Sequence, residues 1–342
     1  MTGALTWARL SYRQQKWELL LVALGVVGVV AAMLYFVSTM HGMRTASPEC
    51  LSNLRAQMES PTGPPLACQL ILEEWYERQG WTSTLMTAAR GAPLGLGVIL
   101  GAPLVAREID GGTAQLAWSL SRSRIGWLAR RIAFIVIFVL ALLAIVAMAG
   151  ELLAAAIEPD RNLAEDFFRF GERGLPIVAR GAGALMLGVL VGAMIGRVLP
   201  AVLVSVIVIG IAFAGLSLGQ EAWNRSEATT QRLYDDTGQP VGFDYASMDV
   251  EFGLLRPDGS YLGYNEAFER GLLSETYQDE QGRIYASAAD MEAGRVFGHE
   301  ARLVIEAERY PELVLRDSVL WVLLGFAALG AAAVVVARRR PI

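Results

Sequence analysis

The sequence predicts an all-α polytopic membrane protein with six transmembrane helices and a small α+β extracytoplasmic domain between the fifth and sixth. Three observations lead to this fold class: an apolar composition, six segments long enough to cross a bilayer, and loops that alternate between basic and acidic. Of the 342 residues, 54% are hydrophobic and 18% are charged, whereas a soluble domain of this size carries about 25% charged residues. Most of the chain is therefore solvated by lipid.

Six apolar segments each reach the roughly 20 residues that a helix needs to cross the hydrocarbon core. The predicted spans are residues 18–39, 84–105, 129–156, 176–197, 199–219 and 317–337. The first is too long for the apolar region of a signal peptide and is followed by no small-residue cleavage site, so it is predicted to be a signal anchor. These boundaries divide the chain into 1–17, a five-span membrane domain 18–219 with an outer loop 40–83 and a connector 106–128, an extracytoplasmic domain 220–316, and a sixth span with a basic tail 317–342.

The charges of the loops orient the spans. Arginine and lysine precede the first span, lie between the second and third and between the fourth and fifth, and follow the sixth. The other three loops, residues 40–83, 157–175 and 220–316, are acidic. Because basic loops stay on the cytoplasmic side, both termini are predicted to be cytoplasmic and the protein to be multi-pass in the inner or plasma membrane of the cell.

The chain has 2 cysteines, Cys50 and Cys68, and both fall in the first outer loop. Two cysteines placed together in an oxidising compartment indicate a disulfide. Prolines make the loop rich in turns, so the chain can fold back to pair them. We expect one disulfide, and the alternative is two unpaired thiols.

The outer segment before the sixth span is predicted to fold by itself. Turn signals, each beside short β-branched or aromatic runs, predict hairpins at residues 235–238, 257–259 and 279–282. Ser287 with Asp290 resembles a helix N-cap, and residues 288–307 have helical spacing. The many acidic residues are expected to form a solvated face, since the Asp-x-Asp-x-Asp-Gly pattern of a calcium loop is missing from the sequence.

Three charged residues lie near the outer ends of predicted spans: Arg90, Glu151 and Arg180. Charges inside a membrane are costly and commonly functional. They are predicted to form an ion cluster in which Glu151 bridges one or both arginines. The alternative for the arginines is that they extend to the outer headgroups.

The fourth span carries the small-residue stripe Gly188, Gly192 and Gly196, which predicts a close-packing face. Such a face can lie within the subunit or at a dimer interface. Packing within the subunit is the expectation.

Catalytic motifs are missing from the sequence. A P-loop needs a lysine after its second glycine, and the single lysine, Lys16, stands in a Gln-Gln-Lys-Trp-Glu sequence. The histidines His41 and His299 lie in different outer loops, and neither has a second ligand at metal spacing. No catalytic, cofactor-binding or metal-ligating residue is therefore predicted.

Three regions resemble one known family, the permease subunits of type-2 ABC exporters in the form common in high-GC bacteria. They are the N-terminus with Trp7 and residues 12–16 (YRQQK), the stretch 101–108 (GAPLVARE) with its continuation to Trp127, and the C-terminal segment from Glu308 through the basic tail. The resemblance implies an interfacial helix over 1–17, in which Trp7, Tyr12 and Trp17 alternate with basic residues.

The resemblance also implies that the connector docks on an ATPase subunit. The residues expected to carry this coupling are Arg107, Glu108, Gly112, Thr113, Trp118, Arg122 and Arg124. Glu108 is expected to lie just outside the apolar core. The alternative, that the arginines only set the topology, leaves the glutamate beside them unexplained.

The function implied is that of the membrane-spanning subunit of an ATP-driven ABC transporter, expected to export its substrate by alternating access. This chain is not expected to be an enzyme by itself, because ATP and Mg would bind a separate dimer of ABC ATPase subunits. Further expected partners are a second permease subunit, identical or related, and membrane lipid, with no nucleic acid. The alternative is a membrane sensor or assembly protein whose ectodomain binds a partner without transport.

Overall fold

The computed structural model describes residues 2–51, 65–114, 118, 123–159, 161–235, 239, 241–242, 244–272, 277–279 and 281–339, with the first thirteen of these as backbone only. Six helices within these residues are long and apolar enough to cross a membrane. They are Gln15–Ala46, Leu66–Asp110, Arg124–Ile157, Leu175–Ile195, Val198–Glu227 and Ala307–Arg338, called here the first to the sixth span. The prediction of six apolar spans is confirmed.

The chain forms two compact units. The membrane unit comprises Met1–Arg161, Arg169–Phe213 and Val314–Ile342, and the sheet unit comprises Asn162–Phe168 and Ala214–Leu313. Within the membrane unit we call the end where the second span stops and the third begins the connector end. The opposite end, where the first span stops and the second begins, is the disulfide end.

One helix, Thr2–Ala46, contains both the N-terminal segment and the first span. It is broken at Gln15, whose φ of −121° and ψ of 16° are not helical. The break separates an N-terminal helical segment from the apolar first span, and the interfacial position expected for residues 1–17 stays a prediction.

Much of the predicted outer loop 40–83 is helical. The first span continues to Ala46, a short helix covers Pro48–Leu51, and the second helix begins at Leu66. Leu72 and Trp75, one helical turn apart, are both buried, which explains why this stretch extends the helix instead of forming turns.

The predicted disulfide joins Cys50 to Cys68, with 5.3 Å between their Cα atoms. It ties the short helix Pro48–Leu51, which follows the first span, to the first turn of the helix that begins at Leu66. Both cysteines are buried, and the prediction of one disulfide is confirmed.

The second span changes from an α-helix to a π-helix at Gly97–Gly101, just before Pro103. A proline has no N–H to donate and clashes with the preceding turn, and a wider π turn accommodates it. The helix then returns to α geometry over Ala102–Asp110.

The second and fourth spans pack backbone against backbone. A Cβ added at Gly188 would overlap the carbonyl oxygen of Gly97, and one at Gly192 would overlap the carbonyl oxygen of Ala102. The small-residue stripe therefore packs within the subunit, as expected. Gly196 has another role: with φ of 71° it ends the fourth helix in the left-handed conformation.

The sheet unit holds an antiparallel sheet with the strand order β3-β2-β6-β5-β4, and β1 also pairs with β6. The described strands are β1 Thr229–Arg232, β2 Met248–Leu255, β3 Tyr261–Gly263, β4 Tyr277–Gln278, β5 Arg283–Tyr285 and β6 Gly298–Ile305. Short helices cover Tyr264–Glu269 and Ala288–Glu292. Leu254, Leu262, Ala267 and Ile284 form its core.

Two of the three predicted hairpins are observed. Asp258 and Gly259 turn the chain between β2 and β3, and Asp279 and Gly282 turn it between β4 and β5. The third signal, at 235–238, lies largely outside the described residues.

The predicted helix over 288–307 is wrong beyond its first turns. Ser287 does cap a helix, accepting a hydrogen bond from the backbone N–H of Asp290 at 3.2 Å, and hydrogen bonds from Ser287 and Arg295 hold the pKa of Asp290 below its usual range. Gly294, with φ of 66°, follows the end of this helix. Residues from Gly298 onward instead form β6, where pairing with β1, β2 and β5 overrides local helical spacing.

The glycine contact between the second and fourth spans predicts a large difference between two alanine substitutions. Gly192→Ala should lower the free energy of unfolding by about 1–3 kcal/mol, because the added methyl forces two backbones apart. Gly210→Ala in the fifth span should have little effect, since no described atom lies within 4 Å of its Cβ position. Thermal unfolding of both variants in detergent checks this, and equal melting temperatures would contradict the packing.

Candidate functional site

The charged residues at the end of the second span turn inward, toward other spans. Arg107 donates a hydrogen bond to Glu18 of the first span. The carboxylate of Glu108 lies 2.8 Å from a guanidinium nitrogen of Arg131 in the third span. The hydroxyl of Thr113 donates to the same carboxylate. Three predicted coupling residues are thus occupied in contacts within the chain.

Burial separates the two ion pairs. Glu108 is 6% exposed and Arg131 2% exposed, whereas the side chains of Glu18 and Arg107 are 30% and 39% exposed. The expectation that Glu108 lies outside the apolar core is therefore wrong. The turn that carries it packs among the spans, where Val105 and Ala106 are fully buried, and this places the carboxylate inside.

The chain leaves the second span through a glycine turn. The N–H of Gly112 donates to the carbonyl of Ile109, and its φ of 68° is one that side-chain-bearing residues rarely adopt. This turn brings Thr113 back to Glu108. Gly112 thus has a structural reason to stand where the sequence predicted a coupling residue.

The third span begins beside an aromatic pair. Trp118 and Trp127 meet edge to face with 6.1 Å between ring centroids, and the guanidinium of Arg124 lies 4.9 Å from the centroid of Trp118. Ser123 caps the helix by accepting a hydrogen bond from the N–H of Gly126 at 2.9 Å. The remaining predicted coupling residue, Arg122, lies outside the described residues.

Arginines also join the helix ends at this side of the bundle. Arg124 donates to the carbonyl oxygen of Arg339, at 2.6 Å, just beyond the sixth span. Arg339 donates to the carbonyl oxygen of Ala193, at 2.6 Å, in the last turn of the fourth. Carbonyls at a helix C-terminus lack partners within the helix and carry partial negative charge, so both arginines are well placed.

The fifth span is attached by Asp110, whose carboxylate accepts a hydrogen bond from the N–H of Val198 at 3.3 Å. Together with the contacts of Glu18, Arg131, Ala193 and Arg339, this connects the connector end to all six spans. A force applied to the connector would reach each of them.

The second group of charges lies at the disulfide end. Glu151 of the third span binds Arg173 at 2.8 Å. Arg180 of the fourth span binds Asp317 of the sixth at 2.9 Å, and its side chain and that of Asp317 are 4% and 2% exposed. The predicted bridge from Glu151 to Arg90 or Arg180 is therefore replaced by two separate pairs.

The predicted bridge does not form because Glu151 and Arg180 each have another oppositely charged residue beside them. Arg173 stands in the turn just before the fourth span, directly against Glu151, and Asp317 provides a carboxylate for Arg180. Sequence reasoning placed Asp317 at the first position of a span without giving it a role. An acidic residue at the start of an apolar segment is the available signal for it. Glu18, Arg131 and Arg173 are likewise not predicted as partners, because the sequence does not show which helix faces face each other.

Among the described residues no three side chains come together that could hold a metal ion. The geometry is instead that of a multi-pass membrane protein whose charges pair between helices at both ends of an apolar bundle. The membrane unit contains two groups of paired charges, one at the connector end and one at the disulfide end.

The comparisons with known proteins agree with this class. Residues 23–218, more than half of the chain, match the family described as ABC-2 membrane transporter related. The chain belongs to this family, which implies a non-catalytic membrane subunit of an ABC transporter and an ABC ATPase as the kind of partner. Neither the curated proteins nor the solved structures contain a match.

Burial predicts that the two carboxylates at the connector end differ in their contribution to stability. Glu108→Gln should lower the free energy of unfolding by about 3–5 kcal/mol, because it removes the carboxylate that is paired with the buried guanidinium of Arg131. Glu18→Gln removes a partly exposed partner and should cost about 0.2–1 kcal/mol. Chemical denaturation in detergent measures both, and similar values for the two variants would show that the inner pair is not buried as described.

Proposed function

We propose that this chain is the membrane-spanning subunit of an ATP-driven exporter that works by alternating access with a separate ATPase dimer. The observation that carries the proposal is the set of contacts at the connector end, which joins the turn after the second span to all six spans. A transporter needs such contacts if an ATPase outside the membrane acts on the connector, because they pass its movement to the spans.

The coupling residues act in two ways under this proposal. Arg107 and Glu108 transmit force, since their side chains bind the first and third spans, and Thr113 binds the carboxylate of Glu108. The coupling residues proposed to meet the ATPase are then Trp118, Arg122 and Arg124. Glu108 would be a positioning residue and not a direct contact.

The rest of the assembly follows from the charge distribution and the family. Both termini and the connector are proposed to face the cytoplasm, with the disulfide and the sheet unit on the outer side. ATP and Mg bind to the ATPase chains. A second permease subunit, identical or related, completes the transport pathway.

A lipid partner is supported by an apolar groove of about 900 Å³ between the third, fourth and sixth spans. Its walls extend from Ile125 to Leu140 on the third span and are formed almost wholly by aliphatic side chains. A groove of this chemistry favours an acyl chain over a polar solute.

A single introduced cysteine tests the connector's role. Because Cys50 and Cys68 are bonded to each other, Gln115→Cys provides the one reactive thiol in the protein. Carrying a photoactivatable maleimide, it should crosslink to the ATPase in the purified complex. In vesicles it should react with an impermeant maleimide only when the cytoplasmic face is accessible.

Leu70→Cys is the matched control, since Leu70 is 78% exposed near the disulfide end. It should react from the opposite side and never crosslink to the ATPase. Labelling of Gln115→Cys from the same side as Leu70→Cys would refute the orientation. Failure of Gln115→Cys to crosslink in an intact, ATP-hydrolysing complex would refute the coupling assignment.

A further inference from the structure

Arg90 differs from the other arginines at the disulfide end. Arg173 binds Glu151 and Arg180 binds Asp317. Within the part of the chain that the structure describes, Arg90 forms no ion pair, and its Nε is buried without a hydrogen-bond partner. A guanidinium stays protonated in proteins, so this charge cannot be relieved by losing a proton.

An aromatic ring lies close to two of these cations. The guanidinium of Arg90 lies 5.7 Å from the ring centroid of Phe213, and that of Arg180 lies 6.0 Å from the same centroid. The ring attracts each cation through its face, but the two guanidinium groups repel each other. The carboxylate of Asp317 is paired with Arg180, whereas the contact described for the guanidinium of Arg90 is with the ring of Phe213.

The neighbouring carboxylates are already engaged. Glu172 accepts from Thr87 and lies against Arg169, and Glu151 is held by Arg173. Arg90, Arg180 and Asp317 therefore leave an excess of positive charge at this place.

The excess charge lies within the length of the spans. Arg180 and Phe213 each lie about 23 Å along their helices from the connector-end residues Ile195 and Val198. The hydrocarbon core is about 30 Å thick, so these groups lie near its edge, at the depth of lipid phosphates or just below it. An anion there would be poorly screened by water and strongly attracted.

We propose that Arg90 is a binding site for a phosphate group, beside Phe213 at the disulfide end of the bundle. The planar fork of a guanidinium presents parallel N–H donors to two oxygens of such a group. The phosphate can belong to an anionic phospholipid or be a free anion, and both supply the missing counter-charge. The site does not depend on the transport activity proposed above.

The test uses the full-length protein, purified in detergent and stripped of lipid. Its melting temperature is followed while phosphatidylglycerol, phosphatidylcholine with the same acyl chains, or sodium phosphate is added at constant ionic strength. The wild type should be stabilised more by phosphatidylglycerol than by phosphatidylcholine if a lipid is the source. Stabilisation by sodium phosphate would identify the free anion instead.

In either case Arg90→Gln should weaken the apparent affinity by at least about tenfold, since it removes hydrogen bonds from a charged donor. Arg78→Gln is the control on the same helix, because Arg78 is already paired with Glu74, and it should bind as the wild type does. Arg90→Lys retains the positive charge but lacks the paired guanidinium donors, so it should bind the phosphate source with intermediate affinity. It also tests the site if the glutamine variant does not fold. Unchanged responses of Arg90→Gln and Arg90→Lys to both phosphate sources, or no stabilisation of the wild type by either, would overturn the proposal.

Discussion

The ion pair between Glu108 and Arg131 is the contact on which the connector end depends. Both side chains are almost fully buried, and a buried charge without a partner is more costly than nearly any other defect in a folded chain. The pair therefore fixes how the second and third spans are rotated toward each other. Thr113 binds the same carboxylate, so the first residues after the second span cannot move without moving the third.

Close packing also joins the second span to the fourth. Glycines replace side chains at the contact, so the two backbones approach more closely than larger residues would allow. At the other end Arg180 and Asp317 join the fourth span to the sixth. Displacement of the connector would consequently reach the disulfide end through rigid contacts, which is the mechanical requirement of alternating access as proposed.

Sequence reasoning predicted the features that depend on local composition. Six apolar stretches, one disulfide and two glycine turns in the sheet unit are recognisable because each has its own local signal. The partners of charged residues were not predictable, since they depend on how helices are rotated: Glu151 selects Arg173, and Asp317 was missed. Strand β6 was misassigned because its pairing with three other strands, distant in sequence, outweighs the helical spacing of residues 288–307.

A double-mutant cycle on the buried pair tests the central claim most directly. The free energies of unfolding of Glu108→Gln, Arg131→Gln and the double variant are compared with that of the wild type. If the two side chains depend on each other as described, the double variant should lose less stability than the sum of the two single losses, with an interaction energy of about 1–3 kcal/mol. Additive losses, within about 0.5 kcal/mol, would show that Glu108 and Arg131 act independently and that the connector is not tied to the third span through them.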